Sequence, residues 1–202
     1  MYKQIFLKRG KEESLKRFHP WIFSGAIHHM DEGIEEGETV RVITAAGEFI
    51  AVGHYQIGSI AVRVLSFEDI EINTDFWCER LQSALDVRIG VGIADSPTNN
   101  TYRLVHGEGD YLPGLVIDCY GSTAVMQAHS VGMHVCRNEI CQALVQVMGD
   151  RIANVYYKSE TTLPYKADLH QENGFLVGGD ASNVAMENGL KFHIDLSLIH
   201  IS

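Results

Sequence analysis

Residues 38–66, which read ETVRVITAAGEFIAVGHYQIGSIAVRVLS, carry the pattern that decides the fold of the first part of the chain. Three short segments rich in β-branched residues alternate here with turn signals at Gly47 and Gly58. Closely spaced short strands of this kind are typical of a small β-barrel or sandwich. The predicted strands cover residues 38–44, 48–55 and 60–66.

Toward the N-terminus, residues 2–7 are predicted to form a further strand and residues 11–18 a helix. That helix must end before Pro20, because the residue before a proline is pushed out of the α region. Toward the C-terminus, the pattern changes at residue 73. Asn73 or Thr74 can cap a helix there. Apolar residues then recur at every fourth position, which places them on one face of that helix. These apolar residues are Trp77, Leu81, Leu85 and Ile89.

The second half of the chain alternates strands with one long predicted helix. Two strands flank the turn at Gly121, and the helix over residues 130–148 ends at Gly149. The order strand, strand, helix, strand, strand over residues 115–180 predicts an α+β layer. The chain is therefore expected to divide into a β-barrel over residues 1–72, a central α+β domain over residues 73–188 and a lead-in segment over residues 189–202.

Composition and charge exclude several classes of protein. The chain has 202 residues, of which 46% are apolar, and a net charge of −10, so it is expected to fold around a core. No run approaches about 18 apolar residues, which argues against a membrane span. Four cysteines lack C-x-x-C spacing, which favours the reducing cytoplasm over a disulfide framework. Residues 1–20 nevertheless carry a balance of +4, which indicates a local contact with nucleic acid or a solvated helix face.

The segment His19-Pro20-Trp21-Ile22-Phe23-Ser24-Gly25 follows the basic stretch directly. A histidine and a tryptophan beside cations can stack an unpaired base while the cations hold phosphates. For Trp21 and Phe23 alone, the sequence favours the alternative that both are core residues of a strand. The cations have no expected role in a core, so they favour RNA binding. The candidate RNA-binding residues are Lys8, Arg9, Lys11, Lys16, Arg17, His19 and Trp21.

A second motif, RLVHGEGDYLPG, covers residues 103–114. Its two glycines do not predict a nucleotide loop, because no strand is expected before them and Glu108 and Asp110 would repel a phosphate. The two carboxylates are candidates for an acid/base pair, but a tight acidic turn is the favoured alternative. Arg103, Glu108 and Asp110 remain candidates for substrate positioning.

Histidines give no metal signal in this sequence. His28 and His29 are adjacent, and His134 lies on the long predicted helix, so none is spaced with a second ligand. No catalytic residue and no bound metal is therefore predicted.

Together these motifs resemble the class I S-adenosylmethionine-dependent ribosomal RNA methyltransferases of the large-subunit methyltransferase I type. The opening Leu7-Lys8-x-Gly10 and residues 15–26 are similar to the start of that family, whose first domain is an RNA-binding PUA barrel. Residues 102–121 are similar to its central signature R-L-V-x-G-E-x-D-x-L-P-G-L-x-x-D-x-x-G. Residues 187–192, ENGLKF, resemble the lead-in to the catalytic domain.

The resemblance implies cytosine-5 methylation of large-subunit ribosomal RNA with S-adenosylmethionine as cofactor. The family's glycine-rich cofactor loop, D-P-P segment and nucleophilic cysteine have no counterpart here, so we expect a fragment that ends before the methyltransferase domain and binds no cofactor alone. Expected partners are ribosomal RNA and, as an open alternative, a second copy in a homodimer; no membrane or metal is expected. A non-enzymatic RNA-binding or assembly module and a protein-binding adaptor are the alternatives.

Overall fold

A computed structural model describes residues 2–164, 169, 172–179 and 183–196 of the chain. Its first part is a curled six-stranded β-sheet with the strand order β2-β6-β5-β4-β1-β3. Strands β1 and β4 are parallel, and the other neighbours are antiparallel. The strands are Lys3–Leu7 (β1), Trp21–Phe23 (β2), Ile27–Met30 (β3), Thr39–Ile43 (β4), Phe49–Tyr55 (β5) and Ile60–Ser66 (β6).

The interior of this sheet is built from the β-branched residues of the opening stretch. Val40 and Val42 of β4 and Val62 of β6 are almost fully buried, because alternate residues of a strand point to the same face. Gly53 of β5 lies so close to the backbone of Arg63 that a Cβ atom there would clash with the carbonyl oxygen. The close approach of β5 and β6 therefore requires glycine at this position.

The second part is a five-stranded sheet that packs against helices. Its strand order is β11-β10-β9-β8-β7, with β9 and β10 parallel. The strands are Thr101–His106 (β7), Leu115–Tyr120 (β8), Thr123–Ala128 (β9), Asn154–Tyr157 (β10) and Gly174–Val177 (β11), and the helices are Thr74–Gly90 (α1), Val131–Val135 (α2) and Arg137–Met148 (α3). A hairpin of Asn183–Glu187 (β12) and Leu190–Ile194 (β13) completes the described elements.

Helix α1 begins as its sequence predicts, but Ile89 of the predicted apolar face is 38% exposed at the end of the helix. The Asn73 side chain accepts a hydrogen bond from the Phe76 backbone N–H at 3.0 Å, which satisfies a donor that the helix leaves free. Trp77, Leu81 and Leu85 are almost completely buried in one core with α3 and the second sheet. Among the described residues, no helix is both long and apolar enough to cross a membrane.

The two sheets meet where His54 of β5 packs against α2. A Cβ atom on Gly132 would overlap the His54 ring, so the helix approaches the strand only because residue 132 is glycine. The Cys136 Sγ lies 3.7 Å from His54 Nε2, and the Trp77 ring centroid lies 6.2 Å from that of His54. Burial lowers the pKa of His54 to about 4, so the ring is neutral at pH 7.

The predicted α+β class, with an N-terminal β-domain before a sheet-and-helix layer, is confirmed. The helix predicted over residues 11–18 is wrong in extent, because only Leu15–Arg17 form a single 3₁₀ turn. The helix predicted over residues 130–148 is two helices, with a break at Cys136. The expectation that no strand precedes the glycines of the second motif is also wrong, because β7 ends at His106.

Candidate nucleic-acid interface

The basic stretch is presented on the surface by the 3₁₀ turn Leu15–Arg17. Leu15 is buried in the first sheet and anchors this turn, which leaves Lys16 and Arg17 exposed to solvent. The Lys16 ammonium contacts the Glu13 carboxylate at 2.8 Å, in a pair whose two side chains are more than half exposed. That hydrogen bond lowers the pKa of Glu13 and raises the pKa of Lys16. The pair is therefore solvated, and Lys16 can exchange Glu13 for another negatively charged partner.

An aromatic group lies next to this turn at the edge strand β2. The His19 ring centroid lies 5.8 Å from that of Trp21 and 6.4 Å from that of Phe23. The Trp21 backbone N–H donates to His19 Nδ1 at 3.2 Å, and its indole N–H donates to Glu108 at 2.8 Å. Trp21 is half-buried and Phe23 is 50% exposed. Both lie on a strand, as one alternative predicted, but neither is a core residue.

The remaining predicted cations line two neighbouring cavities. A cavity of about 620 Å³ contains Lys8 and Arg9 together with His28 and His29 on β3. A second cavity of about 300 Å³ brings Lys11 together with Trp21 and Phe23. The Lys8 ammonium donates to the carbonyl oxygen of Gly25, which lines the second cavity, at 3.0 Å. The two cavities therefore form one surface together with the 3₁₀ turn, and we call it the basic–aromatic surface.

The candidates of the second motif occupy different positions. The Asp110 carboxylate forms a two-point ion pair with Arg88 and also accepts from the His106 backbone N–H at 2.6 Å. Arg103 forms a two-point pair with Asp118 at 2.8 and 3.1 Å. These contacts fix the turn Gly107–Asp110 between β7 and β8, so Arg103 and Asp110 hold the fold together. Glu108 instead reaches across to Trp21 in the first sheet.

A cleft of about 280 Å³ between the two parts of the protein was not predicted from the sequence. Arg63 of β6, His106, Glu108 and His129 line it. Desolvation and the charge of Arg103 lower the pKa of His129, while Glu108 opposes that shift. The lining residues come from three distant segments, so no spacing in the sequence could have brought them together.

His134, Cys119 and Cys141 are buried in the second part of the protein. His134 Nδ1 lies 2.8 Å from the Tyr157 hydroxyl in a buried pair. Burial raises the pKa of Cys119 to about 12 and that of Cys141 to about 11, so both thiols are protonated and weakly nucleophilic at pH 7. Within the part of the chain that the structure describes, no three His, Cys, Asp or Glu side chains are grouped as metal ligands would be.

Comparison with known proteins shows what this chain is similar to. A PUA-like domain family matches residues 5–67. The chain is 39% identical over 199 residues to the ribosomal RNA large subunit methyltransferase I of Vibrio parahaemolyticus, an alignment that covers 97% of this chain and 49% of that protein. It is 36% identical over 200 residues to the protein of the same name from Aliivibrio fischeri strain MJ11, covering 97% of this chain and 50% of that relative.

Solved structures show the same fold. A proposed S-adenosylmethionine-dependent methyltransferase from Streptococcus mutans has a TM-score of 0.74 and 21% identity, over 94% of this chain and 47% of that one. A proposed methyltransferase complexed with SAH has the same TM-score at 20% identity, over the same shares of the two chains. The chain spans about half the length of the curated relatives it matches. The predicted resemblance to the large-subunit methyltransferase I family is therefore confirmed.

Proposed function

We propose that this chain docks and positions ribosomal RNA for a methyltransferase that modifies large-subunit RNA at carbon 5 of a cytosine. The observation that carries the proposal is the basic–aromatic surface. It gathers solvated cations and partly exposed aromatic rings at one edge of a protein whose net charge is −10. The PUA-like match over residues 5–67 and the names of the relatives support RNA as the ligand.

In the proposed interaction, the cations bind phosphates and the aromatic rings bind bases. Lys8, Arg9, Lys16 and Arg17 neutralise phosphates, and Lys11 does the same beside the aromatic group. His19 and Phe23 offer ring faces to unpaired bases, an interaction that tolerates any base because every base has a π-face. The acidic body does not cancel this attraction, since the Debye length at physiological salt is about 8 Å.

Removing the four outer cations tests the proposal. We expect the quadruple variant Lys8→Gln, Arg9→Gln, Lys16→Gln and Arg17→Gln to lose at least about 100-fold in affinity for a single-stranded segment of large-subunit RNA, measured by fluorescence anisotropy. For the unaltered chain, four phosphate contacts predict a slope near −3 for log affinity against log salt concentration. The circular dichroism spectrum should not change, because these side chains are solvated.

A matched control separates local charge from total charge. The triple variant Ser83→Glu, Gln142→Glu and Lys191→Glu lowers the net charge by the same four units at exposed positions of the second part and the hairpin. It should keep its RNA affinity within about twofold, because these positions lie on α1, α3 and β13 and line neither cavity of the basic–aromatic surface. Equal losses in both variants, or no loss in the quadruple variant, would contradict RNA docking at this surface.

The glycine-containing turn Gly107–Asp110 does not fit S-adenosylmethionine. Class I cofactor loops run from a strand through glycines into a helix, whereas β7 leads into the 3₁₀ turn Gly107–Asp110 and then into β8. The acidic side chain of Asp110 is held in this turn by Arg88. We therefore expect no heat of binding when the chain is titrated with S-adenosylmethionine, and micromolar binding would contradict this expectation. The methyl donor belongs to the proposed activity of the whole enzyme.

A non-enzymatic RNA-binding or assembly module is the second candidate, because the basic–aromatic surface would serve RNA docking in such a module equally well. Introducing the quadruple variant into the organism that encodes the chain distinguishes the two. Substrate docking predicts the loss of one 5-methylcytosine from large-subunit RNA with normal ribosome profiles. An assembly module predicts unchanged methylation and an accumulation of subunit precursors.

A further inference from the structure

Two aromatic residues adopt a backbone conformation that ordinary side chains avoid. Phe18 has φ 60° and Tyr111 has φ 58°, and each follows the last residue of a 3₁₀ turn. Among the residues that the structure describes, the only other non-glycine residues with positive φ are Asp95 and Asn188. Asp and Asn tolerate this left-handed region, whereas bulky aromatic residues there carry strain.

Burial does not compensate for the strain at either position. Phe18 is 70% exposed and Tyr111 is 65% exposed. The Phe18 ring contacts the Phe67 ring in a T-shaped arrangement, with the ring centroids 5.2 Å apart. Strained backbone of this kind concentrates at ligand-binding sites. Exposed rings held this way therefore indicate a ligand that covers them.

Contacts link both rings to the end of β6. Phe67, the neighbour of Phe18, directly follows β6. The Arg80 guanidinium lies 5.8 Å from the centre of the Tyr111 ring, and it donates to the carbonyl oxygen of Leu65 in β6 at 3.4 Å. The turn that precedes Tyr111 is also held against the first sheet by the hydrogen bond from Trp21 to Glu108.

We propose that Phe18 and Tyr111 are two base-stacking platforms for one RNA strand, which runs from the basic–aromatic surface across the end of β6 onto the second part of the protein. The inference rests on the RNA-docking function proposed above and extends the contact to residues outside it. An unpaired RNA strand fits both rings, because bases stack on aromatic faces without sequence preference. Arg80 supplies a positive charge behind the second ring, where a phosphate of the same strand can lie.

Glycine substitutions test the inference without harming the fold, because glycine adopts positive φ freely. Tyr111→Gly should leave the melting temperature equal or higher and weaken binding of a 12-nucleotide unstructured RNA about 5- to 100-fold. Tyr111→Phe should keep the affinity, since the ring is retained. Asn188→Gly is the matched control, because it relaxes the same backbone conformation in the β12–β13 turn and should not change RNA binding.

RNA length separates the two platforms. Phe18→Gly should weaken binding of both a 4-nucleotide and the 12-nucleotide RNA, whereas Tyr111→Gly should affect only the longer one. RNA that contains 5-iodouridine should crosslink to Tyr111 in the unaltered chain under ultraviolet light.

The outcomes distinguish this inference from the proposed function. If the quadruple glutamine variant loses RNA binding but Tyr111→Gly and the crosslink show no effect, the RNA path is wrong and docking on the first sheet stands. If the quadruple variant also binds normally, RNA docking itself fails. A fall in melting temperature without a change in affinity would show that Tyr111 stabilises the fold, and this would overturn the inference.

Discussion

The two parts of the molecule use the same types of charged residue for different purposes. On the basic–aromatic surface, the cations are solvated, and the Lys16–Glu13 pair is exposed on both sides. In the second part, Arg88 pairs with Asp110, and both side chains are mostly buried, at 13% and 9% exposure. The exposure of the partners, rather than the residue type, therefore separates a charge that holds the fold from a charge that is free to bind.

This contrast explains why residues of the motif RLVHGEGDYLPG have two different roles. Asp110 and Arg103 look like substrate-positioning groups in the sequence, but both are engaged in two-point ion pairs within the second part. Glu108 and Tyr111 of the same segment face the first sheet or solvent. One short segment thus holds the second part together and also contributes to the surface shared with the first.

The largest effect on stability is expected from breaking the buried ion pair. Arg88→Met leaves the Asp110 carboxylate buried without its partner, which should cost about 3–5 kcal/mol of unfolding free energy. Urea unfolding of the variant and the unaltered chain measures the difference. The double variant Arg88→Met with Asp110→Leu should recover part of the loss, because it removes the unpaired charge. A loss below about 1 kcal/mol in the single variant would show that the pair is effectively solvated.

The junction between the two parts should respond to acid through His54. Its folded pKa of about 4 lies below the unfolded value near 6.5, so the unfolded chain gains the proton first as the pH falls. Stability from this group is therefore complete above about pH 6.5 and is lost on acidification, by about 2 kcal/mol between pH 7 and pH 5. Unfolding by urea at the two pH values measures this loss.

A variant without the titrating ring checks the assignment. His54→Gln should be less stable at pH 7 but should lose less stability between pH 7 and pH 5. Some dependence should remain, because burial also lowers the pKa of His134. His28→Gln, at an exposed position of β3, is the control and should retain the full acid dependence. An unchanged dependence in His54→Gln would mean that His54 does not carry the effect.

The fold was predictable where local signals and tertiary packing agree. Asn73 caps α1, as its residue type predicts. Trp77 is buried, as the recurrence of apolar residues at every fourth position predicts. Strand β3 was missed because it is only four residues long and exposes most of its side chains. Strand β2 was predicted as one alternative for Trp21 and Phe23, but these two residues were expected in the core. Strand β2 forms by pairing with β6, and β3 forms by pairing with β1. Both partners are distant along the chain.

The charges of the candidate surface were predictable from the sequence, but the positions of its exposed aromatic rings were not. Cations clustered within residues 8–17 are visible in the sequence, because they need no partner to remain exposed. The left-handed backbone at Phe18 is not visible in the sequence, since residues 11–18 have helical character, whereas the structure forms only the 3₁₀ turn Leu15–Arg17 there. The cleft at Arg63 and Glu108 depends on how two sheets meet, which no local pattern encodes.

The smallest expected effect concerns the exposed pair on the basic–aromatic surface. Glu13→Gln removes the carboxylate that holds the Lys16 ammonium and leaves the cation free for phosphate. Because both side chains are solvated, the melting temperature should not change measurably, in contrast to Arg88→Met. RNA affinity should instead rise by about twofold at low salt, since one competing negative charge is lost. The gain should disappear at high salt, where such attractions are screened. Lower affinity, or a lower melting temperature, would show that this pair supports the turn as Asp110 supports the second part, and the distinction between the two regions would then fail at this position.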